Sequence, residues 1–368
     1  ARRLFVVNAG ARLELDDIVI EKGLSKAGDG GAIYNLDTVS LVNCTFRNNA
    51  TTDEWSGGAV FSSSHLAAYN TTFTNNEAGS GGAIHIASNV NQTNIPASHF
   101  DHNAATSTDM SSGYGGALLA TDGATATVGS STFTDNQARA GGAIDIRSGS
   151  HLFADGTLID HNMTTGNGDG GGIDIDVSMA MLTNLTLSRN SAGEGGAINT
   201  FVGEVTMSAV TLSDNSAVYG AGYQTFLGTH TFTNVTISGN DASSSGGGIY
   251  NSRGTMTLTN VTLADNTGGN GLTGGIVNGG GGPDPDLKLK NVMIAKGATG
   301  ANCGFGIAPT SSQLNLSDDD SCGFGAGRDD VSLMLGPLAD NGGSTQTHLP
   351  AAGSLAIGSG TNVGCPAT

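Results

Sequence analysis

Two short motifs recur in tandem along most of this chain: Phe/Leu/Ile-x-x-Asn, then Gly-Gly-Ala/Gly-Ile. The clearest copies are TFTNNEAGSGGAIHI (72–86), TFTDNQARAGGAIDI (132–146) and TLSRNSAGEGGAINT (186–200). The aliphatic position of the second motif falls at Ile33, Val60, Ile84, Leu118, Ile144, Ile173, Ile198, Tyr223, Ile249 and Ile276. Successive copies are therefore 27, 24, 34, 26, 29, 25, 25, 26 and 27 residues apart. A period in the twenties that tolerates insertions marks a solenoid, in which each repeat packs only on its neighbours. The 368 residues are thus expected to form one elongated body rather than two or three globular domains.

Residues 127–147 show what one repeat does. Val128 opens a short strand, and Ser131, Thr132 and Phe133 form another with Phe133 as an apolar plug. Asp135-Asn136 turns the chain, since Asn tolerates left-handed backbone geometry. Gly141-Gly142 makes a sharp corner, and Ile144 and Ile146 then alternate with Asp145 and Arg147 as a strand with one buried face. Three short strands and three turns per repeat, stacked in parallel at ~4.8 Å, give an all-β, right-handed parallel β-helix. Eleven coils are expected from residue 15 to 298, a rod of roughly 50 Å. Residues 1–298 form this solenoid, and the loop-rich residues 299–368 complete or cap it. The 34-residue interval before Leu118 places a loop insertion near 104–113.

Stacking turns equivalent positions into columns. One runs Asn49, Asn76, Asn103, Asn136, Asn162, Asn190, Asn215, Asn240 and Asn266, with Gly23 and Gly297 in the same slot at the ends. Stacked amides bond along such a column. A second column holds Asn43, Asn70, Asn184, Asn234, Asn260 and Asn291. Its Asn-x-Thr triplets read as an Asn stack beside strand threonines rather than as glycosylation sites.

Charge and cysteines narrow the function. Fourteen basic against 32 acidic residues give a net charge of −18, which excludes phosphate-seeking nucleic-acid binding. No apolar run approaches the ~20 residues of a membrane span. Cys303 and Cys322, in the matching phrases NCGFG and SCGFG, are expected to form a disulfide, which points to an oxidising compartment. The alternative is two separate thiols. Cys44 reads as a small buried residue.

The paired motifs over residues 20–280 resemble the repeats of chlamydial polymorphic outer membrane proteins. That resemblance implies an extracellular or bacterial cell-surface location and use in adhesion on a β-helical passenger. The tail LGPLADNGGSTQTHLPAAGSLAIGSGTNVGCP (335–366) is similar to the C-terminal segment of choice-of-anchor Q domain proteins, which are secreted β-helices. Here Gly358 stands where that family usually has Asp. Neither resemblance supplies catalytic residues.

A non-enzymatic adhesin-like or matrix-forming scaffold is therefore the expected function. Its expected partners are surface glycans and further copies of itself, stacked head to tail through residues 1–15. The enzyme alternative is a polysaccharide lyase or hydrolase. Its carboxylates would come from the outward positions after each Gly-Gly corner, His85, Leu119, Asp145, Asp174, Asn199, Gln224 and Tyr250. Asp145, Arg147, Asp174 and Asp176 cluster on two adjacent coils, and Asp145 with Asp174 forms a weak metal candidate for calcium. The competing reading is a solvated strand face bridged by one Arg, without a cofactor and without a second basic residue nearby. The single copy of GNGDGGGIDID (166–176) lacks the repetition of a calcium-binding nonapeptide array, and Asp318-Asp319-Asp320 reads as a solvated loop.

If the aliphatic column is the core, Ile144→Ala lowers unfolding free energy by ~2–5 kcal/mol through a cavity. Chemical denaturation checks this, and no loss would place Ile144 outside.

Overall fold

Gly141 has φ of +61°, and a Cβ on Gly142 would lie 2.2 Å from the carbonyl oxygen of Gly171 in the next coil. The first glycine of the pairs from Gly30 to Gly246 thus supplies a left-handed corner, and the second lets adjacent backbones touch. A computed structural model describes the chain apart from residues 1, 53, 89–91, 108, 110, 280–284 and 362–368. Asp284 and Cys365 lie outside the described residues.

The coils stack as a parallel β-helix of about 12 turns. Every aliphatic position read from the repeat pairs directly with the next, from Ile33↔Val60 to Ile249↔Ile276. The ladder continues past the expected eleven coils because Phe5 pairs with Ile33 and Cys303 with Ile276. Strands Ser311–Gln313 and Leu316–Ser317 also join the solenoid, beyond residue 298.

One coil runs Ile144–Arg147, His151–Asp155 and Leu158–Asp160, each strand stacked on its counterparts. A fourth strand, Met163–Thr164, follows, so the expected three strands per coil become four in this part of the rod. Leu24–Ser25, Ala50–Thr51, Glu77–Ala78, Ala104–Ala105 and Gln137–Ala138 stack with it into a six-stranded sheet. These two-residue strands were hidden in the sequence because their alternation is too short to register. The loop of the long repeat follows Ala104–Ala105 and ends at Tyr114.

Inside, Ile144 and Ile146 are 0 % exposed, and Phe46, Phe73, Phe100 and Phe133 stack ring on ring at 4.5–5.2 Å. The irregular Tyr223 fills the aliphatic column. Its hydroxyl meets His230 Nδ1 at 2.9 Å and Thr200 Oγ1 at 3.1 Å, while Thr225 Oγ1 meets His230 Nε2 at 2.8 Å. Burial pushes the His230 pKa down to about 4, so this imidazole is a neutral core group.

The first asparagine column is a continuous buried ladder. Asn136 Oδ1 accepts both the Asn103 backbone N–H (2.9 Å) and the Asn103 side-chain amide (3.0 Å). Asn136 Nδ2 in turn donates to Asn162 Oδ1 (2.9 Å) and to the Phe100 carbonyl (3.0 Å). The same pattern holds up to Asn266. The left-handed residue is not the ladder Asn but the one before it, such as Asn75 (φ 54°), Asp135 (φ 54°) and His161 (φ 56°). Gly23 likewise serves the ladder, donating its N–H to Asn49 Oδ1, and the turn is made by Lys22 (φ 58°). The second asparagine column occupies another left-handed corner on the surface, where Asn70 donates to Asn43 and Asn260 to Asn234.

Cys303 and Cys322 form a disulfide at the C-terminal end, and Cys44 is a free buried cysteine. Asp318 and Asp319 are not a solvated loop. Asp318 accepts the Lys296 N–H and Asp319 accepts the Asn302 N–H, so they cap the last strands. The two-stranded antiparallel pair Leu335–Ala339 and Thr347–Pro350 folds back along the rod. There Thr211 Oγ1 donates to the Gln346 carbonyl, and His348 bonds Ser238 Oγ at 2.8 Å.

Asn136→Ala removes the acceptor of two buried donors and the partner of the Phe100 carbonyl. At ~1–3 kcal/mol per unsatisfied group it is expected to cost at least ~3 kcal/mol, against under ~1 kcal/mol for exposed Asn70→Ala. Equal losses in chemical denaturation would sink the ladder's role.

Candidate functional site

The outward positions after each Gly-Gly corner stack one per coil: His85, Leu119, Asp145, Asp174, Asn199, Gln224 and Tyr250. They are not a solvated face. Asp145 is 0 % exposed, and Asp174, Asn199 and Gln224 are 5–6 % exposed. A neighbouring ladder formed by the residue just before each Gly-Gly pair runs beside them, with Tyr114 bridging to Ala140, Asp169 to Glu194 and Glu194 to Tyr219.

Arg147 organises the acidic part. Its guanidinium grips Asp145 with two bonds of 2.7 and 2.6 Å and lies 3.6 Å from Asp174 Oδ2. It also sits over the Tyr114 ring at 3.3 Å, and Arg139 lies near the same ring at 4.8 Å. Asp174 accepts a further bond from Asn199 Nδ2 at 2.8 Å. Arg147 therefore stands between Asp145 and Asp174, where a shared cation would sit. Asp176 lies opposite Arg147 in register but, among the described residues, makes no ion pair with it. Arg139 supplies the second basic group that was not expected from the sequence.

Burial raises the pKa of Asp145, with Arg147 opposing it. Burial and then the Asp145 charge push Asp174 well above the usual carboxylate range. Burial and then Glu194 push Asp169 up to about 6, and burial raises Glu194 against the hydrogen bond from Gln224. Burial thus shifts each carboxyl of this run toward its protonated form, while the Arg147 guanidinium opposes the shift at Asp145. At the other end of the row, His85 packs edge-on to Phe61 at 5.2 Å and bonds Thr121 Oγ1 at 3.0 Å, and burial lowers its pKa to about 4.

Beyond Asn199 the row becomes aromatic. Glu194, Tyr219, Gln224, Phe226, Tyr250 and Ser252 line a shallow cleft of about 190 Å³. Gln224 Nε2 donates to Glu194 at 2.5 Å, and Tyr219 meets Tyr250 edge to face at 5.4 Å. Phe201 stacks on Phe226 at 5.2 Å.

A separate group has metal-ligand spacing. Asp101, His102 and Asp135 bring one ligand atom each within 4.8 Å of one another, the one such group of three among the described residues. Asp101 is half-buried and the other two are exposed.

A known family of repeats matches two segments of the chain. Residues 70–87 and 234–252 match the Chlamydia polymorphic membrane protein repeat. The first segment carries TFTNN through GGAIHI, and the second carries TISGN through GGGIY. No curated protein and no solved structure matches the chain. The two segments cover a small part of the 20–280 stretch over which the motifs recur, and neither reaches the tail at 335–366.

Tyr114, Asp169, Glu194 and Tyr219 were not singled out in the sequence. Each occupies the position before its Gly-Gly pair, so aligning that position across repeats finds them.

Asp169 gives a pH test. A carboxyl titrating near 4 when unfolded and about 6 when folded stabilises the fold at low pH, and that contribution is lost as pH rises through 4–6. The full displacement corresponds to about 2.7 kcal/mol, which solvent at its partly exposed edge reduces to roughly 1–2 kcal/mol. Asp169→Asn should therefore gain stability relative to wild type by that amount between pH 4 and 7, read by denaturation at both pH values. A difference that does not change with pH would show that Asp169 titrates normally.

Proposed function

We propose that the chain is a non-enzymatic, adhesin-type β-helical scaffold of the bacterial cell surface or extracellular space. The observation that carries this reading is the polymorphic membrane protein repeat found twice in a β-solenoid. The disulfide supports an oxidising location. The occupied state of the carboxyls supports a scaffold over a polysaccharide lyase or hydrolase. Asp145 is engaged by Arg147 and Asp174 by Asn199, which leaves neither as a free base facing a substrate. No cofactor is required, and calcium would have to displace Arg147 to bind between Asp145 and Asp174. The likeness of the tail to choice-of-anchor Q segments adds an expectation of secretion.

A second reading, head-to-tail self-association, draws on the first coil. Phe5, Leu13 and Leu15 are only partly buried, whereas their counterparts Ile33, Val39 and Leu41 are 0–1 % exposed. A coil of a second copy would cover them. The opposite end is covered by Cys322, Phe324, Val331 and Leu333, so stacking would have to displace that cap.

Beads coated with the protein should attach to glycan-bearing epithelial cells above the level of beads coated with albumin. Parallel incubation with acidic polysaccharides and calcium should release no reducing ends or unsaturated products. Products that disappear with Asp174→Asn would replace the scaffold reading with an enzyme. Negative-stain microscopy at rising concentration separates filaments from monomers.

A further inference from the structure

The cleft between Glu194 and Ser252 contains an unanswered hydrogen-bond acceptor. Gln224 is 6 % exposed, and its Nε2 is committed to Glu194. Its Oε1 is buried and has no hydrogen-bond partner among the described residues. A buried amide oxygen left this way costs about 1–3 kcal/mol, so a donor arriving from a ligand gains what the empty cleft lacks.

The charges around it are unbalanced in one direction. Glu194 and the neighbouring Asp169 make no ion pair among the described residues, while Arg147 is engaged with Asp145. Arg253 lies over the Phe226 ring at 4.7 Å and makes that edge of the cleft cationic. A ligand cation therefore belongs at the Glu194 edge.

Ring surface is also free. Phe201 stacks on Phe226 with its planes 2° from parallel and remains 52 % exposed, and Tyr219 is 37 % exposed. Val177 and Leu227, on the same corner of the rod, extend this apolar surface. Aromatic faces beside convergent acceptors suit a rigid ring that has one apolar face and several donors. A lysine side chain brings an ammonium but no ring face. An anionic sugar would meet the carboxyls and a net charge of −18.

We propose that this cleft is a binding subsite for an amino sugar. Its ring sits against Tyr219 and Tyr250, its ammonium faces Glu194, and its hydroxyls donate to Gln224 Oε1 once that amide turns outward. The inference rests on the adhesin-type reading and names the ligand class for it.

Calorimetry with the β-1,4-linked glucosamine hexamer tests the proposal, using the N-acetylated hexamer and hexalysine as comparisons. The glucosamine hexamer should bind saturably, and Glu194→Gln and Tyr219→Ala should each weaken it about tenfold, as expected for one charged hydrogen bond or one stacking face. The N-acetylated hexamer and hexalysine should bind at least about tenfold more weakly than the glucosamine hexamer. Glu54→Gln, an exposed acidic control on a remote coil, should bind like wild type, and circular dichroism establishes that each variant is folded. No saturable binding, hexalysine binding as tightly, or an equal loss with Glu54→Gln would overturn the subsite. If coated beads still attach to cells while the hexamer fails, the subsite falls and the adhesin reading stands. If attachment fails as well, the reading beneath it falls too.

Discussion

The shape of each coil depends on a buried amide that is bonded to the amide of the next coil. Asn76, Asn103, Asn136 and their equivalents satisfy three kinds of buried group at once: the next Asn, a backbone N–H and a carbonyl from the phenylalanine column. A polar group in the interior is costly unless its partners are all present. The ladder therefore permits one register only, because a slip by one residue leaves every rung unpaired. The Gly-Gly corners enforce the same register from the other side, since any side chain on Gly142 would collide with Gly171. Between these two fixed points the chain is free to vary, and the outward rows carry the residues that differ from coil to coil.

That division explains which parts of the molecule were legible in the sequence. Ile144 and Asn136 recur at fixed spacing because each has the same environment in every coil, and repetition is visible without a structure. The pairing of Cys303 with Cys322 could be read from the matching NCGFG and SCGFG phrases. The six-stranded sheet of two-residue strands through Gln137–Ala138 was not legible, since two residues carry no period. Asp145 and Asp174 could be placed on one face, but their burial could not be foreseen. Arg147 lies against both and itself sits over the ring of Tyr114, which arrives at the end of the loop that makes one repeat longer than the rest. Burial of an outward residue is a property of what lies over it, and that partner is distant in sequence.

The irregular coils are also where the chemistry gathers. Tyr223 replaces an aliphatic residue inside, and it brings in the neutral His230 as its partner. Directly outside the same coil, Gln224 and Phe226 line the cleft with Glu194 and Tyr250. A departure from the repeat motif thus coincides with a departure from its surface. The carboxyl run from Asp145 to Glu194 lies beside it, so acidification changes the charge next to the cleft without altering the ladder that supports it.

The orientation of the backbone bonds has a mechanical consequence. Strands pair from coil to coil, so their hydrogen bonds lie along the long axis of the rod. A load pulling the two ends apart opens these bonds one coil at a time rather than shearing many together. Each released coil of 24 to 34 residues yields a similar increment of length, ~80–120 Å at full extension. Force spectroscopy would see a near-regular sawtooth. The folded-back C-terminal strands interrupt that regularity, because Gln346 and His348 pin coils more than a hundred residues away. The rod is in this sense an extensible tether with a brace across its later coils.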